Sequence, residues 1–190
     1  MKCDIILAGV GGQGVLSIAA IIARAAAGEG FAVRQSEVHG MAQRGGAVLA
    51  HLRMSDGTIA CDLVPRGGAD MIISMEPMES LRYAEWLNPA GALVSAAAPL
   101  VNIGDYPDLA DVHTAVKSFP RWRLIEAANL AKEAGLARAV NMVMVGAASP
   151  FLPLAAETLE NTIAAVFASK DAAVAAANTK AFHLGRAAAQ

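Results

Sequence analysis

The spacing of apolar residues changes along the first 54 residues, and each change predicts a different element. Residues 3–8 are almost uniformly apolar, which predicts a buried strand. From residue 15 to 27, apolar residues recur three and four positions apart, as in a helix, and Gly28 and Gly30 are suited to end it. Residues 31–35 predict a second strand, so the chain begins as an α/β fold.

Residues 47–54 alternate between apolar and polar positions, which predicts a strand with one buried face. Asp56 and Gly57 follow, a pair typical of a two-residue hairpin turn, and residues 58–63 are predicted to return as the partner strand. Only residues 36–46 separate the second strand from this predicted hairpin, whereas a crossover helix with its loops needs about a dozen residues or more. The pattern therefore predicts a mixed sheet and disfavours a standard nicotinamide-binding domain.

The rest of the chain alternates again between strands and helices. The predicted strands are residues 71–75, 92–96 and 122–125, and the predicted helices are 78–87, 108–117, 127–134, 142–148, 158–168 and 171–184. Asn141 is a candidate N-cap. Glu76 lies just past the carboxyl end of a predicted strand, where open α/β sheets gather ligands, but a favourable interaction with the dipole of the following helix explains it equally well. We expect one domain, residues 1–190, as a three-layer α/β/α fold whose mostly parallel, mixed sheet contains an antiparallel hairpin.

The composition leaves little polar surface. Of the 190 residues, 55% are hydrophobic and 17% charged, against about 25% charged in a typical soluble domain, so we expect a buried interface with a partner. A net charge of −2 disfavours nucleic acid or an anionic membrane as that partner. No secretory or membrane-spanning segment is visible, so a cytoplasmic location is expected. Cys3 and Cys61 are expected to be reduced core residues, too few for an Fe–S cluster with about four cysteine ligands.

Residues 9–14, Gly-Val-Gly-Gly-Gln-Gly, join the first predicted strand to the first predicted helix. In this setting a G-x-G-x-x-G sequence is typical of a phosphate-binding loop. Gly9 would permit the tight turn, Gly11 a close approach of the backbone to an anion, and Gly14 close packing of helix on strand. The helix N-terminus would add N–H donors and a partial positive charge. The alternative, in which these glycines only shape a compact turn, stays open.

Residues 36–46, Ser-Glu-Val-His-Gly-Met-Ala-Gln-Arg-Gly-Gly, form a second polar stretch. Arg44 beside two glycines can combine a guanidinium with backbone donors, which suits a phosphate or carboxylate. His39 is a candidate proton carrier, although a lone loop histidine more often only makes a hydrogen bond. If the two preceding strands are parallel neighbours, both polar stretches emerge at one edge and form an anion site. The candidate binding residues are Gly9, Gly11, Gly12, Gln13, Gly14, Ser36, His39, Arg44 and Gly45; no catalytic residue or metal ligand is assigned.

These stretches together resemble the gamma domain of the 2-oxoacid:ferredoxin oxidoreductases. The resemblance rests on residues 9–15, 36–46, 76–82, 141–146 and 178–182, and so spans nearly the whole chain. The sequence His-Gly-Met-Ala-Gln-Arg-Gly-Gly is similar to the indolepyruvate branch, in which this domain stands alone as the small (beta) subunit.

The resemblance implies oxidative decarboxylation of an aryl 2-oxoacid to an acyl-coenzyme A, with electrons passed to ferredoxin. It also implies a large (alpha) partner subunit that carries thiamine diphosphate and Fe–S clusters. The sequence agrees, because it lacks cysteine clusters and the Gly-Asp-Gly signature of a thiamine-diphosphate metal site. This chain would hold no cofactor by itself and be inactive alone, and in some relatives the domain contacts coenzyme A. The phosphate-binding chemistry of Gly11, Gly12, Gln13 and Arg44 makes them our hypothesis for such a contact.

Other functions stay open on the sequence. A free-standing nucleotide-binding oxidoreductase would bind NAD or a flavin at residues 9–14 and the ribose hydroxyls through Glu37. A purely structural subunit would use its glycines only for packing, and a gamma subunit could act on a 2-oxoacid other than indolepyruvate.

Overall fold

A six-stranded mixed sheet forms the middle layer of the computed structural model, which describes residues 1–39, 45–101, 103–168 and 171–190. The strands lie in the order β2-β3-β1-β4-β5-β6. They are β1 (Lys2–Val10), β2 (Ala32–His39), β3 (Ala47–Ser55), β4 (Ala69–Ser74), β5 (Leu87–Ala96) and β6 (Trp122–Ile125).

Seven α-helices accompany the sheet within the described ranges. They are α1 (Val15–Gly28), α2 (Pro77–Arg82), α3 (Leu109–Lys117), α4 (Ala127–Glu133), α5 (Val140–Ala148), α6 (Ala156–Phe167) and α7 (Ala172–Ala188). Short 3₁₀ turns occur at Ala84–Trp86, Ala137–Ala139 and Ser149–Phe151. No helix in this part of the chain is both long and apolar enough to cross a membrane.

The sheet is mixed and mostly parallel, as predicted, but its hairpin is a different one. Strands β1, β4, β5 and β6 are parallel to each other, and β3 is antiparallel to both β1 and β2. The hairpin is therefore β2–β3, and the predicted turn at Asp56 and Gly57 with a returning strand at 58–63 is wrong. Since β3 pairs along its whole length with β1 on one side and β2 on the other, it has no edge left for a third partner.

Residues 58–63 are instead held by side chains of β3. The Arg53 guanidinium donates to the carbonyl oxygens of Cys61 and Leu63 at 2.8 and 3.1 Å, and the Val64 N–H donates to His51 Nδ1 at 3.1 Å. Cys61 is exposed on this segment, so the expectation of a core position is wrong for it. Cys3 is buried as expected, and burial together with nearby carboxylates raises the pKa of its thiol to about 12.

Helices cover both faces of the sheet, which confirms the three-layer architecture. Helices α1, α4, α5, α6 and α7 pack on one face, where they meet strand residues such as Ile5 and Leu7. The other face is formed around Ile6, Ile72 and Leu93, with side chains from α2 and α3. The alternation of Ile5, Ile6 and Leu7 between the two cores explains why β1 is an unbroken apolar run: it is buried on both faces.

Asp4 is the polar exception inside β1. Its carboxylate is fully buried and accepts two hydrogen bonds from Arg53, from Nε at 2.8 Å and from Nη2 at 3.0 Å. Lys2 Nζ lies 2.8 Å from the same carboxylate. Asp4 and Arg53 are register partners in the β1–β3 ladder. This bidentate pair joins the two strands and therefore favours the observed register of β3 beside β1.

Helices α5 and α7 cross at two glycines. A Cβ added at Gly146 would lie 2.0 Å from the carbonyl oxygen of Phe182, and one added at Gly185 would lie 1.9 Å from that of Val143. Any side chain at either position would separate the helices. This close crossing sets the position of α5, whose first turn contributes to the site described below.

Candidate functional site

A cavity of about 390 Å³ opens at the carboxyl ends of the parallel strands, where open α/β sheets gather ligands. Its wall includes residues 12–14 after β1, Met75 after β4 and Pro99 in the loop after β5. The wall also includes Arg138 in the 3₁₀ turn before α5 and Asn141 in the first turn of α5. The glycine loop predicted to bind an anion therefore forms one wall of a real cavity.

The glycines of this loop meet steric as well as conformational demands. Gly12 and Gly14 have φ values of 99° and 78°, a backbone conformation that favours glycine. A Cβ on Gly14 would lie 2.3 Å from Asn141 Nδ2, and one on Gly9 would lie 2.7 Å from Val15 Cγ2. Asn141 Nδ2 donates to the Gly14 carbonyl oxygen at 3.0 Å. Asn141 is therefore not the N-cap of α5, as the sequence indicated, but a link between α5 and the loop.

Gln13 ties together the ends of two strands. Its Oε1 accepts a hydrogen bond from the Val10 N–H at 2.7 Å, and its Nε2 donates to the Met75 carbonyl oxygen at 3.1 Å. Both polar ends of the side-chain amide thus have backbone partners inside the protein. In this structure Gln13 shapes the mouth of the cavity at the junction of β1 and β4.

The two polar stretches of the sequence meet at Gly11. Its N–H donates to the Gly46 carbonyl oxygen at 2.8 Å, and its carbonyl oxygen accepts from the Gly45 N–H at 3.2 Å. The predicted meeting is thus observed, although β1 and β2 are not neighbours, since β3 lies between them. They still run in one direction, because β3 is antiparallel to both, and their carboxyl ends share one edge.

The remaining candidates of the second stretch belong to β2 or lie beyond the described residues. Strand β2 is longer than predicted and includes Ser36, opposite His51, and His39, opposite Val48. Only the backbone of His39 is described, and Arg44 lies outside the described residues, so the predicted roles of both stay predictions. Glu37 stands on the edge strand, two strands away from the glycine loop, whereas a dinucleotide site places its acidic residue on the strand next to β1. The topology therefore disfavours an NAD-type site.

Glu76 is an N-cap that also anchors the loop after β5. It is almost fully buried, and its Oε2 accepts from the Glu79 N–H at 2.8 Å in the first turn of α2. Its Oε1 accepts from the Tyr106 hydroxyl and from the Leu100 N–H at 3.4 Å. Burial and the bond to Glu76 raise the pKa of Tyr106 well above its ordinary value. Glu76 thus has a structural role at the strand ends.

Exposed apolar residues lie in the loop that Glu76 anchors. Leu100, Val101 and Ile103 are 38%, 66% and 40% exposed, directly after Pro99 in the cavity wall. In a chain with few charged residues, apolar side chains clustered beside a cavity are typical of a surface that another protein covers.

Arg138 is the functional candidate that the sequence analysis missed. It is exposed, it lines the cavity, and it makes no hydrogen bond or ion pair with any residue that the structure describes. The signal in the sequence is slight: it is the one charged residue in the otherwise uncharged stretch 134–149. Among the described residues, no group of three His, Cys, Asp or Glu side chains could hold a metal ion.

Comparison with known sequences gives a consistent family. A model of the pyruvate ferredoxin/flavodoxin oxidoreductases matches residues 4–188. The indolepyruvate oxidoreductase subunit IorB of Archaeoglobus fulgidus is 38% identical over 97% of this chain and 94% of its own length. The IorB of Pyrococcus horikoshii is 37% identical over 98% and 96%, and the 2-oxoglutarate synthase subunit KorC of Methanothermobacter thermautotrophicus is 30% identical over 77% and 75%.

Solved structures show the same fold. A 2-oxoglutarate:ferredoxin oxidoreductase from Magnetococcus marinus, with 2-oxoglutarate, coenzyme A and succinyl-CoA bound, aligns with a TM-score of 0.78 and 26% identity over 99% of this chain, which corresponds to 31% of that longer chain. The pyruvate oxidoreductase subunit PORC of Thermotoga maritima aligns with a TM-score of 0.74 and 22% identity over 98% of this chain and 96% of its own. With the mixed sheet, the glycine loop and the relatives in agreement, the chain belongs to the pyruvate ferredoxin/flavodoxin oxidoreductase family.

Proposed function

We propose that this chain is the small subunit of an indolepyruvate-type 2-oxoacid:ferredoxin oxidoreductase. The observation that carries the proposal is the 36–38% identity to three IorB subunits over nearly the whole chain. In the reaction, an aryl 2-oxoacid loses its carboxylate as CO₂, the acyl group is joined to the sulfur of coenzyme A, and two electrons pass to ferredoxin while the thiol proton is released.

The catalytic cofactors belong, in this proposal, to the large subunit. Thiamine diphosphate and Fe–S clusters would be bound there, because this chain has two cysteines and a cluster needs about four. One of the two, Cys3, is buried with a raised thiol pKa, and burial keeps it from acting as a ligand at the surface. The complex would work in the cytoplasm and pass its electrons to ferredoxin through the large subunit.

The contribution of this chain would be a contact with coenzyme A at the carboxyl edge of the sheet. The support is geometric: residues 9–14 and Gly45–Gly46 meet there beside a cavity, and a structural relative was solved with coenzyme A bound. Arg44 would add a charge-assisted contact, worth about 1.5–3 kcal/mol. Arg44→Ala should therefore raise the KM for coenzyme A about tenfold to a hundredfold. An unchanged KM with a large drop in Tm would make Arg44 a structural residue.

Reconstitution tests the proposed function. The purified chain should not reduce a viologen with indolepyruvate and coenzyme A, and turnover should appear when the large subunit is added. Turnover by the chain alone would end the subunit proposal. Titration with NAD(H) and with a flavin provides the contrast, since clear binding to the chain alone would favour the free-standing oxidoreductase.

A second candidate differs only in the substrate. The KorC relative is 30% identical over 77% of this chain and acts in a 2-oxoglutarate synthase. Comparing kcat/KM of the reconstituted complex for indolepyruvate, pyruvate and 2-oxoglutarate separates the two. A preference for 2-oxoglutarate would transfer the chain to the KorC type.

A further inference from the structure

A second cavity adjoins the one at the strand ends. It has a volume of about 380 Å³ and lies among α1, α5 and α7. The two cavities have Arg138 and Asn141 in common, so these two residues form the boundary between them. Together the two cavities are large enough for an elongated ligand, and Arg138 lies between them.

The two cavities differ in their chemistry. The first is mostly apolar, with Met75, Ala96 and Pro99 among its walls, and it suits a narrow chain with few charges. The second offers the aromatic ring of Phe167 and the polar side chains of Ser17 and Asn178. An aromatic face beside hydrogen-bonding groups is suited to a flat heterocycle.

Arg138 supplies the charge between them. Within the described ranges its guanidinium has no carboxylate partner, and the side chain is exposed on a 3₁₀ turn between two alanines. It therefore contributes little to packing. A planar guanidinium binds phosphate oxygens through two parallel N–H donors, which gives orientation as well as affinity.

We propose that Arg138 binds the phosphate or pyrophosphate of an elongated ligand whose apolar arm occupies the first cavity and whose heterocycle occupies the second. Coenzyme A has this construction, with a pantetheine arm and an adenosine joined by a pyrophosphate, so the inference deepens the proposed function and rests on it. It adds an anion contact from a residue outside both polar stretches of the sequence.

Truncating the ligand and the residue in parallel tests the contact. Coenzyme A and pantetheine, which lacks the phosphates, are titrated calorimetrically into the full chain and into the two-subunit complex. Arg138→Met should weaken coenzyme A roughly tenfold to a hundredfold and leave pantetheine unchanged, while Arg138→Lys keeps part of the affinity. Arg24→Met is the matched control, because Arg24 is an exposed arginine on α1 that lines neither cavity.

The outcomes separate cleanly. Equal losses for both ligands would show that Arg138 acts through the shape of the site, and no loss for coenzyme A would place its phosphates elsewhere; either result overturns the proposal. Tm within about 1 °C of the wild type shows that Arg138→Met is folded. If the complex turns over indolepyruvate and Arg138→Met still binds coenzyme A normally, the contact alone has failed; if the complex is inactive on indolepyruvate, the proposed function has failed, and binding to the full chain still decides on Arg138.

A filled cavity tests the arrangement of the arms. Val174 lines only the second cavity, and Val174→Phe should fill it. The variant should weaken coenzyme A at least tenfold and leave pantetheine unchanged, because pantetheine has no heterocycle to lose. A variant that binds coenzyme A as the wild type does would contradict the second arm.

Discussion

The close crossing of α5 and α7 makes Gly185→Ala a sharp test of this structure. The added Cβ would lie 1.9 Å from the Val143 carbonyl oxygen and 2.7 Å from its carbonyl carbon, whereas ordinary contacts begin at 3.4 Å. The opposing atoms are backbone, so no rotamer change relieves the clash. The two helices would have to separate by about 1.5 Å at this point, which also removes dispersion contacts from the buried side chains around it.

The expected cost follows from these distances. Forcing extra atoms into a packed core costs about 1–3 kcal/mol, and a backbone clash belongs at the upper end of that range. Alanine is favoured over glycine inside a helix by about 1 kcal/mol, which offsets part of the loss. We expect the free energy of unfolding to fall by about 2 kcal/mol, which lowers Tm by about 4–8 °C for a domain of this size.

Thermal and urea unfolding followed by circular dichroism measure this effect. The matched control is Gly28→Ala at the end of α1, where, apart from its chain neighbours and the backbone of its own helix, no atom of the described residues lies within 4 Å of the added Cβ. That variant should leave Tm unchanged or raise it slightly, because the helix gains an alanine. If Gly185→Ala melted at or above the wild-type temperature, α5 and α7 could not be packed as closely as described.

Three further variants test the polar interior. Burial and the nearby Arg53 lower the pKa of His51 below its ordinary value of about 6.5, so the contribution of His51 to stability should be constant above pH 6.5 and decline as the pH falls from there through the lowered pKa; His51→Gln should flatten this decline in urea midpoints measured against pH. Glu76→Ala removes the N-cap of α2 and the anchor of the loop after β5, so the free energy of unfolding should fall by about 1–2 kcal/mol and protease cleavage of that loop should quicken; unchanged cleavage would contradict the anchoring. Asp4→Ala removes the carboxylate partner of the Arg53 guanidinium at a site where its side chain is 15% exposed, and should destabilise the fold by about 3 kcal/mol; the double variant Asp4→Leu/Arg53→Met should recover part of the loss, and equal losses in both would refute the pairing.

The local pattern of the sequence was sufficient for most individual elements. The glycine loop between β1 and α1, the alternating strand β3 and the short strand β6 were all predicted near their observed bounds. Asp108 and Asp171, expected to begin helices, accept hydrogen bonds from N–H groups in the first turns of α3 and α7. These features depend on the periodicity of buried residues and on helix capping, and both are determined by residues close together in the sequence.

The pairing of strands depended on the tertiary structure. Asp56 and Gly57 do form a bend, in which the Gly57 N–H donates to Ser55 Oγ. A turn sequence, however, does not determine which strand the following segment pairs with. Strand β3 satisfies one edge with β1, which is distant in sequence, and the other with β2, the strand before it, so residues 58–63 are left to side-chain contacts. The alternating pattern that predicts a strand is the same for either set of partners.

The arrangement of the candidate site likewise depended on the tertiary structure. From the sequence alone, the glycines and Gln13 have the composition of an anion-binding loop, and the family resemblance rests on this loop together with residues 36–46, 76–82, 141–146 and 178–182. Only the folded chain shows that Gly11 and Gln13 already bond to distant backbone groups, and that Arg138, about 125 residues further along, faces the same cavity. The physical reason is that a hydrogen-bonding group is assigned to a partner by the packing of elements far apart in the sequence, whereas the sequence fixes only which groups are available to bond.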